Sequence, residues 1–210
     1  MTASKPVAIS ISRQLGAGGS FIGQQLASRL NIFFADRDIL RYAANRLSTF
    51  EENLESRDER LLSFWHSLLK TLPQRDVITV PSVASALEYT DEELFDAETE
   101  IIKKIVHEKP AVILGRCGHY ILRDEPKHIS IFLHANQEFR INRIQNLYNL
   151  QHDEATKMVE KSDKERAAYC KMFTHKEWMN ASNYDLSIDT SKVTLDQAVE
   201  LILQYIRLHS

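Results

Sequence analysis

The sequence predicts an α/β fold with a mainly parallel sheet, on three observations. Short apolar runs recur along the 210 residues, amphipathic stretches separate them, and glycines crowd the first junction between the two kinds of segment. Four of the six glycines, Gly16, Gly18, Gly19 and Gly23, fall within eight positions there.

The elements follow in order. Residues 7–12 (Val-Ala-Ile-Ser-Ile-Ser) predict the first strand, and residues 31–35 a second, short one. Ala111–Gly115 follows Pro110, which stops the preceding helix, and predicts a third strand. Residues 129–134 and 184–189 predict the fourth and fifth. Continuous apolar runs of this kind suit strands covered on both faces. Helices are expected at 19–30, 37–47, 58–72, 91–108, 136–149, 152–172 and 194–208. Leu94, Ala97, Ile101 and Ile105 trace one face of the fourth, and Leu195, Ala198, Val199, Ile202 and Ile206 one face of the last. Residues 36–110 hold only one weak strand candidate, Val77–Val80, and residues 150–183 are rich in Lys, Glu, Asp and His. Both read as lobes attached to a single domain spanning 1–210.

Composition bounds the function. A formal net charge of −3 provides no global attraction to nucleic acid or to a membrane surface, so an anion site must come from locally placed arginines. The N-terminus has no apolar leader, and no window approaches a membrane span. Cys117 and Cys170 do not make a disulfide framework. The expectation is a soluble cytoplasmic protein with no nucleic-acid polymer or membrane as partner; the oligomeric state is left open. No His has a convincing metal-ligand spacing to Cys or acids.

The glycine cluster sits where a phosphate loop would. The pattern G-x-x-x-x-G-K-[ST] falls on residues 13–20, Arg-Gln-Leu-Gly-Ala-Gly-Gly-Ser. Gly18 and Ser20 match it. Arg13 replaces the first glycine, and Gly19 replaces the lysine. Backbone N–H groups of Gly16, Ala17, Gly18, Gly19 and Ser20 can still cradle an anion at a helix N-terminus. Arg13, just upstream, is placed to supply positive charge, with a planar fork suited to phosphate oxygens. The alternative is a glycine-rich turn that binds nothing.

With its surroundings, the loop resembles the cytidylate kinase-like family of P-loop nucleoside monophosphate kinases, from Val7 to Ile206. The segments that carry the resemblance are residues 9–20, 33–40 (Phe-Phe-Ala-Asp-Arg-Asp-Ile-Leu), 112–122 (Val-Ile-Leu-Gly-Arg-Cys-Gly-His-Tyr-Ile-Leu), 138–144, 163–166 (Asp-Lys-Glu-Arg) and 182–190. The resemblance implies a three-layer P-loop NTPase fold with a five-stranded parallel sheet. It implies a helical NMP-binding lobe within 37–110 and a lid within 150–183. The implied reaction is transfer of the ATP γ-phosphoryl group to a nucleoside monophosphate such as CMP, with Mg²⁺. Arg37 and Arg41 stand where the family's acceptor lobe begins, and Arg116 where cytidylate kinases have Gly-Arg-Asp; all three are candidates for the acceptor phosphate. Arg140 and Arg143, one helical turn apart, match arginines at the lid's entry. Asp163 and Arg166 match the lid's D-x-x-R, the Asp toward the acceptor nucleoside and the Arg toward the transferring phosphate.

The chain departs from that pattern at Arg13, at Gly19 and at Leu114, where an Asp would end the third strand. Magnesium would then rest on Ser20, the nucleotide phosphates and, through water, Asp36. Asp36 and Asp38 read equally as a helix N-cap. The acceptor phosphate is already a nucleophile, so no general base is needed, and arginines with a closing lid suffice. Arg13, Arg116, Arg140, Arg143 and Arg166 are expected to converge on the phosphates. Tyr169, Phe173 and Trp178 read either as lid packing or as a stacking surface for adenine. Cys117 reads as a small core or near-site residue. Two other readings stay open: a nucleotide-binding or regulatory protein with little kinase activity, and a small-molecule kinase with a non-nucleotide acceptor.

Overall fold

A computed structural model describes residues 8–40 and 90–209. Five strands form one all-parallel sheet: β1 (Ala8–Arg13), β2 (Phe33–Ala35), β3 (Ala111–Leu114), β4 (His128–His134) and β5 (Leu186–Asp189), in the order β2-β3-β1-β4-β5. The helices are α1 (Gly19–Leu30), α2 (Asp91–Glu108), α3 (Gly118–Ile121), α4 (Gln137–Tyr148), α5 (His152–Thr174) and α6 (Leu195–Leu208). Among the described residues, no helix is long and apolar enough to cross a membrane.

Two-residue alternation sorts the central strand. Ile9 and Ile11 pack with Ile22 and Leu26 of α1 and Val199 and Ile202 of α6. Ala8 faces the opposite side, against Ile101, Ile102 and Ile105 of α2. Ser10 and Ser12, on that second face, are small enough for α3 to sit close: a Cβ at Gly118 would stand 3.1 Å from that of Ser10. Both hydroxyls are buried and paired, Ser10 with His128 Nε2 at 2.7 Å and Ser12 with His119 Nδ1 at 3.4 Å.

Helix starts follow local chemistry. Capping boxes open α2 (Thr90 with Glu93) and α6 (Thr194 with Gln197), and Asn136 accepts from Phe139 N at 2.7 Å to open α4. Two helices start otherwise: α1 and α3 have left-handed N-caps, Gly18 and Cys117, with no side-chain cap hydrogen bond.

The differences from the sequence expectations are local. The second strand begins at Phe33 because Asn31, at φ 52, closes α1 with its N–H on Ala27 O and Ser28 O. The fifth begins at Leu186 because a 3₁₀ turn occupies Ala181–Asn183, and Asp185 turns its carboxylate onto Ser130 N and Oγ, each at 2.7 Å. The single turn α3 was not anticipated, since four residues are too few to show a helical period. The chain is helical from Arg37 to Leu40. The remainder of the 37–47 helix, the 58–72 helix and the Val77–Val80 strand lie outside the described residues.

The segment expected to form a lid joins the rest of the chain through two apolar clusters, among other contacts. Near its start, Ala155 and Val159 of α5 meet Ile141 and Ile144 of α4. Near its end, Cys170 joins Cys117, Phe132, Trp178 and Tyr184 in a separate cluster.

His128 gives the fold a pH dependence. Burial, opposed by Asp185 and reinforced by His119, pushes its pKa down from 6.5 to about 4. A depressed histidine favours folding above its unfolded value and loses that contribution as pH falls from 6.5 toward 4. Stability attributable to His128 is expected to drop by about 2 kcal/mol between neutral pH and about pH 4.5, allowing for its partial exposure. Urea unfolding of the wild type and of His128→Asn at both pH values isolates this part; equal losses in the two proteins would refute it.

Candidate functional site

The loop after β1 is held by contacts distant in sequence. Gln14 N donates to Leu133 O at 3.0 Å, and Leu15 N donates to Asp163 Oδ1 at 3.2 Å across 148 positions. Gly16 lies at φ +86, and a Cβ there would come within 2.8 Å of Arg140 Cβ and O, so the site admits only glycine. The first-turn N–H groups of α1 have no intrahelical acceptors, and Gly18 has no side chain to cap them. The loop therefore ends in an open, partially positive helix N-terminus with the exposed Ser20 hydroxyl beside it.

Arg13 occupies the space above the position where the lysine is missing. A Cβ at Gly19 would stand 2.6 Å from Arg13 Cγ and 2.9 Å from its Cβ. The side chain then runs on to the end of β3, where a Cβ at Gly115 would collide with Nη1. Gly19 and Gly115 thus make a channel for one arginine. Burial, then the charge on Arg166, lower the Arg13 pKa to about 9, with Asp36 opposing and Arg37 and Arg116 adding to the shift. At neutral pH it is a cation among cations. No carboxylate among the described residues forms a salt bridge with it.

The predicted arginines divide into two groups. Arg13, Arg37, Arg116 and Arg166 line one cavity of about 180 Å³, with Ser12, His119 and Tyr169 in its wall. Arg140 and Arg143 are not among its lining residues. Arg140 is buried and spent on the loop's support: Nε donates to Ala135 O at 3.1 Å, and Nη1 to Leu15 O at 3.3 Å and Asp163 Oδ2 at 2.6 Å. Asp163 accepts from Arg140, Leu15 N and Gln14 Nε2, so its carboxylate clamps the loop. Arg143 is half-buried and away from the cavity. Arg166, one turn after Asp163 on α5, donates to Arg13 O at 2.9 Å; burial lowers its pKa, with Asp163 opposing. Asp36 Oδ1 accepts from Asp38 N at 3.1 Å and Ile39 N at 3.0 Å, the hydrogen bonding of an N-cap. Arg41 lies outside the described residues.

Arg116 is fixed from several sides. Gly115, Arg116 and Cys117 run consecutively through the left-handed region, at φ 85, 50 and 53, a backbone that non-glycine residues adopt only where surroundings enforce it. The guanidinium forms an ion pair with the fully buried Glu98 and stacks 4.8 Å above the Tyr169 ring, while Tyr169 donates to the other Glu98 oxygen at 3.3 Å. Burial raises the Glu98 pKa, and Arg116 opposes the rise. Arg116 Nε has no hydrogen-bond partner among the described residues.

Sequence reasoning passed over Glu98 and His119. Glu98 carried a signal: it falls on the apolar face of α2 traced by Leu94 and Ile101, where a carboxylate must find a cation. His119 is buried in the cavity wall, its Nε2 without a hydrogen-bond partner by geometry among the described residues, and nothing in its sequence neighbourhood distinguishes it. Phe173 stacks on Phe95 at 4.3 Å between ring centroids, and Tyr169 meets Phe95 edge-on at 6.0 Å. Trp178 packs edge-on to Phe132 at 5.5 Å. No group of three or more His, Cys, Asp or Glu side chains suited to a metal occurs among the described residues.

Comparison with known proteins agrees with this architecture. The sequence profile of the cytidylate kinase-like family matches residues 8–192. No curated protein matches the chain. An uncharacterized protein from Eubacterium ventriosum ATCC 27560 is similar over 95% of this chain and 97% of its own, at 24% identity and a TM-score of 0.70. A gluconokinase from Sinorhizobium meliloti 1021 covers 97% of this chain and 94% of its own, at 13% identity and TM-score 0.53. Shikimate kinase from Bacteroides thetaiotaomicron covers 95% and 97%, at 13% identity and TM-score 0.52. These likenesses establish the fold, an α/β P-loop kinase fold on a five-stranded parallel sheet.

Proposed function

The chain belongs to the cytidylate kinase-like family, and from that premise we propose that it transfers the γ-phosphoryl group of ATP to a nucleoside monophosphate, with a CMP-like acceptor. One observation carries the reading. Arg13, Arg37, Arg116 and Arg166 line a single cavity, and the Arg13 stem lies against Gly19 at the uncapped N-terminus of α1, which supports a reading in which donor and acceptor phosphates meet there.

The roles follow from position. The backbone from Gly16 to Ser20 receives the donor phosphates. Arg13 brings to them the charge that Gly19 lacks. Arg116, oriented by Glu98 and Tyr169, and Arg37 hold the acceptor phosphate. Arg166, on α5, faces the phosphoryl group in transit. The exposed Ser20 hydroxyl fits a magnesium ligand, and Mg²⁺ bound there would neutralise charge on the phosphates. Apposition in this arginine-lined cavity lowers the barrier by positioning and electrostatics, with no protein base.

A second reading, a small-molecule kinase, is favoured by one feature. Asp163, the residue the resemblance assigns to the acceptor nucleoside, spends its carboxylate on Leu15, Gln14 and Arg140. The deciding experiment is an ATP–Mg²⁺ turnover screen over CMP, dCMP, UMP, AMP, GMP, shikimate and gluconate. The highest kcat/KM is expected with CMP or dCMP. Turnover confined to a hydroxyl acceptor selects the second reading. ATP binding with no turnover on any acceptor overturns the kinase assignment and leaves a nucleotide-binding protein.

A further inference from the structure

Cys117 and Cys170 are far apart in sequence, yet the fold brings them together. Cys117 is the N-cap of α3, directly after the left-handed Gly115–Arg116 pair, and Cys170 is in the last turns of α5. Both are buried, at 6% and 1% exposure, in one cluster with Phe132, Trp178 and Tyr184. Both also line the cavity that holds the arginines. We propose that Cys117 and Cys170 are an oxidisable dithiol in the wall of this cavity, closed to a disulfide by a peroxide and reopened by a thiol reductant.

Neither thiol hangs on a mobile segment. The constrained backbone at 115–117 directs Cys117. Cys170 Sγ lies 3.4 Å from Thr174 Oγ1, which in turn donates to Cys170 O at 2.6 Å. Each thiol acts on the other's proton: Cys117 lowers the pKa of Cys170, and Cys170, with burial, raises that of Cys117, so loss of the first proton is eased and loss of the second is opposed. His119, buried beside Cys170, and the Arg116 guanidinium near Cys117 favour an ionised thiol in the pair. Phe132, Trp178 and Tyr184 close the other sides, which leaves the cavity as the route for a small oxidant.

The chemistry balances with hydrogen peroxide as the oxidant. The first thiolate attacks one peroxide oxygen, the O–O bond breaks, and a sulfenic acid and hydroxide result. The second thiol attacks the sulfenic sulfur. The S–S bond forms, the S–O bond breaks, and the departing oxygen leaves as water with the thiol proton. Two thiols are oxidised by two electrons, and one peroxide is reduced to two waters. The bond would tie α5, which carries Asp163 and Arg166, to the loop that carries Arg116.

The test treats the full chain with hydrogen peroxide and maps unreduced peptides by mass spectrometry. A Cys117–Cys170 cross-linked peptide is expected, with a chain lighter by two hydrogens and fully restored by dithiothreitol. In Cys117→Ser, Cys170 is expected to advance to sulfinic acid for want of a partner. Free thiols after oxidation of the exposed Met172 and Met179 would overturn the proposal. So would Cys170 sulfinic acid beside a free Cys117 in the wild type, or a disulfide only between two copies. The wild-type result decides even if the variant misfolds. The readout is a bond rather than turnover, so it is independent of the acceptor the cavity takes.

Discussion

Arg13→Ala is expected to lower ATP-dependent turnover by about 10²–10³-fold and to weaken ATP binding measurably by calorimetry, the loss typical of removing one preorganised donor from developing phosphate charge. The effect is large because nothing else in the described structure occupies that place. The Arg13 stem lies on Gly19, where a P-loop would carry its lysine, and its guanidinium reaches Gly115 at the end of the neighbouring strand. Burial among Arg166, Arg37 and Arg116, opposed only in part by Asp36 and with no salt-bridged carboxylate among the described residues, leaves a cation suited to an anionic ligand. The exchange of roles has its own test. Gly19→Lys alone is expected to destabilise the fold, since its Cβ would stand 2.6 Å from Arg13 Cγ. Gly19→Lys combined with Arg13→Gly removes both that contact and the one at 2.9 Å from Arg13 Cβ, and is expected to recover part of the lost turnover. Unchanged ATP affinity and turnover in Arg13→Ala would show that the donor charge comes from elsewhere, with Arg166 next in line.

The second large effect is structural. Arg140→Ala is expected to destabilise the protein by about 3–5 kcal/mol, the cost of breaking a buried ion pair and leaving its partner uncompensated. For a chain of this size that corresponds to a thermal midpoint lower by roughly 6–15 °C. The pair is well covered, with side-chain exposures of 7% for Arg140 and 19% for Asp163. Arg140 also satisfies the carbonyls of Leu15 and Ala135, so truncation frees the phosphate loop at Leu15 and the chain just after β4 at Ala135. Arg140→Lys is expected to recover little, because one ammonium cannot reach three acceptors in a plane. Differential scanning calorimetry decides the matter; a midpoint within about 1 °C of wild type would mean that Arg140 is not a support of the loop.

Much of the fold was legible from residue order. All five strands, and each helix expected within the described residues, lie close to their predicted positions, because the period of apolar residues reports which face is covered. The errors were at ends, where one left-handed residue such as Asn31, or one turned carboxylate such as Asp185, stops an element without altering the pattern around it. The site was less legible. The glycine loop was evident, and so was the set of arginines. Their division was not: Arg140 and Arg166 lie on adjacent helices, yet Arg140 braces the loop while Arg166 lines the cavity. Glu98 was within reach, as a carboxylate on an apolar helix face. His119 and the meeting of the two cysteines had no local signal.

The sequence by itself determined the α/β class, the order of the elements and the placing of a glycine-rich turn between the first strand and the first helix. Those depend on short-range periodicity and on where the backbone needs glycine. Only the tertiary structure decided what fills the space over Gly19, which arginines face the cavity and which hold its walls. A guanidinium on a long stem can reach many partners, and the partner it takes is set by residues more than a hundred positions away, as the Asp163 clamp on Leu15 is.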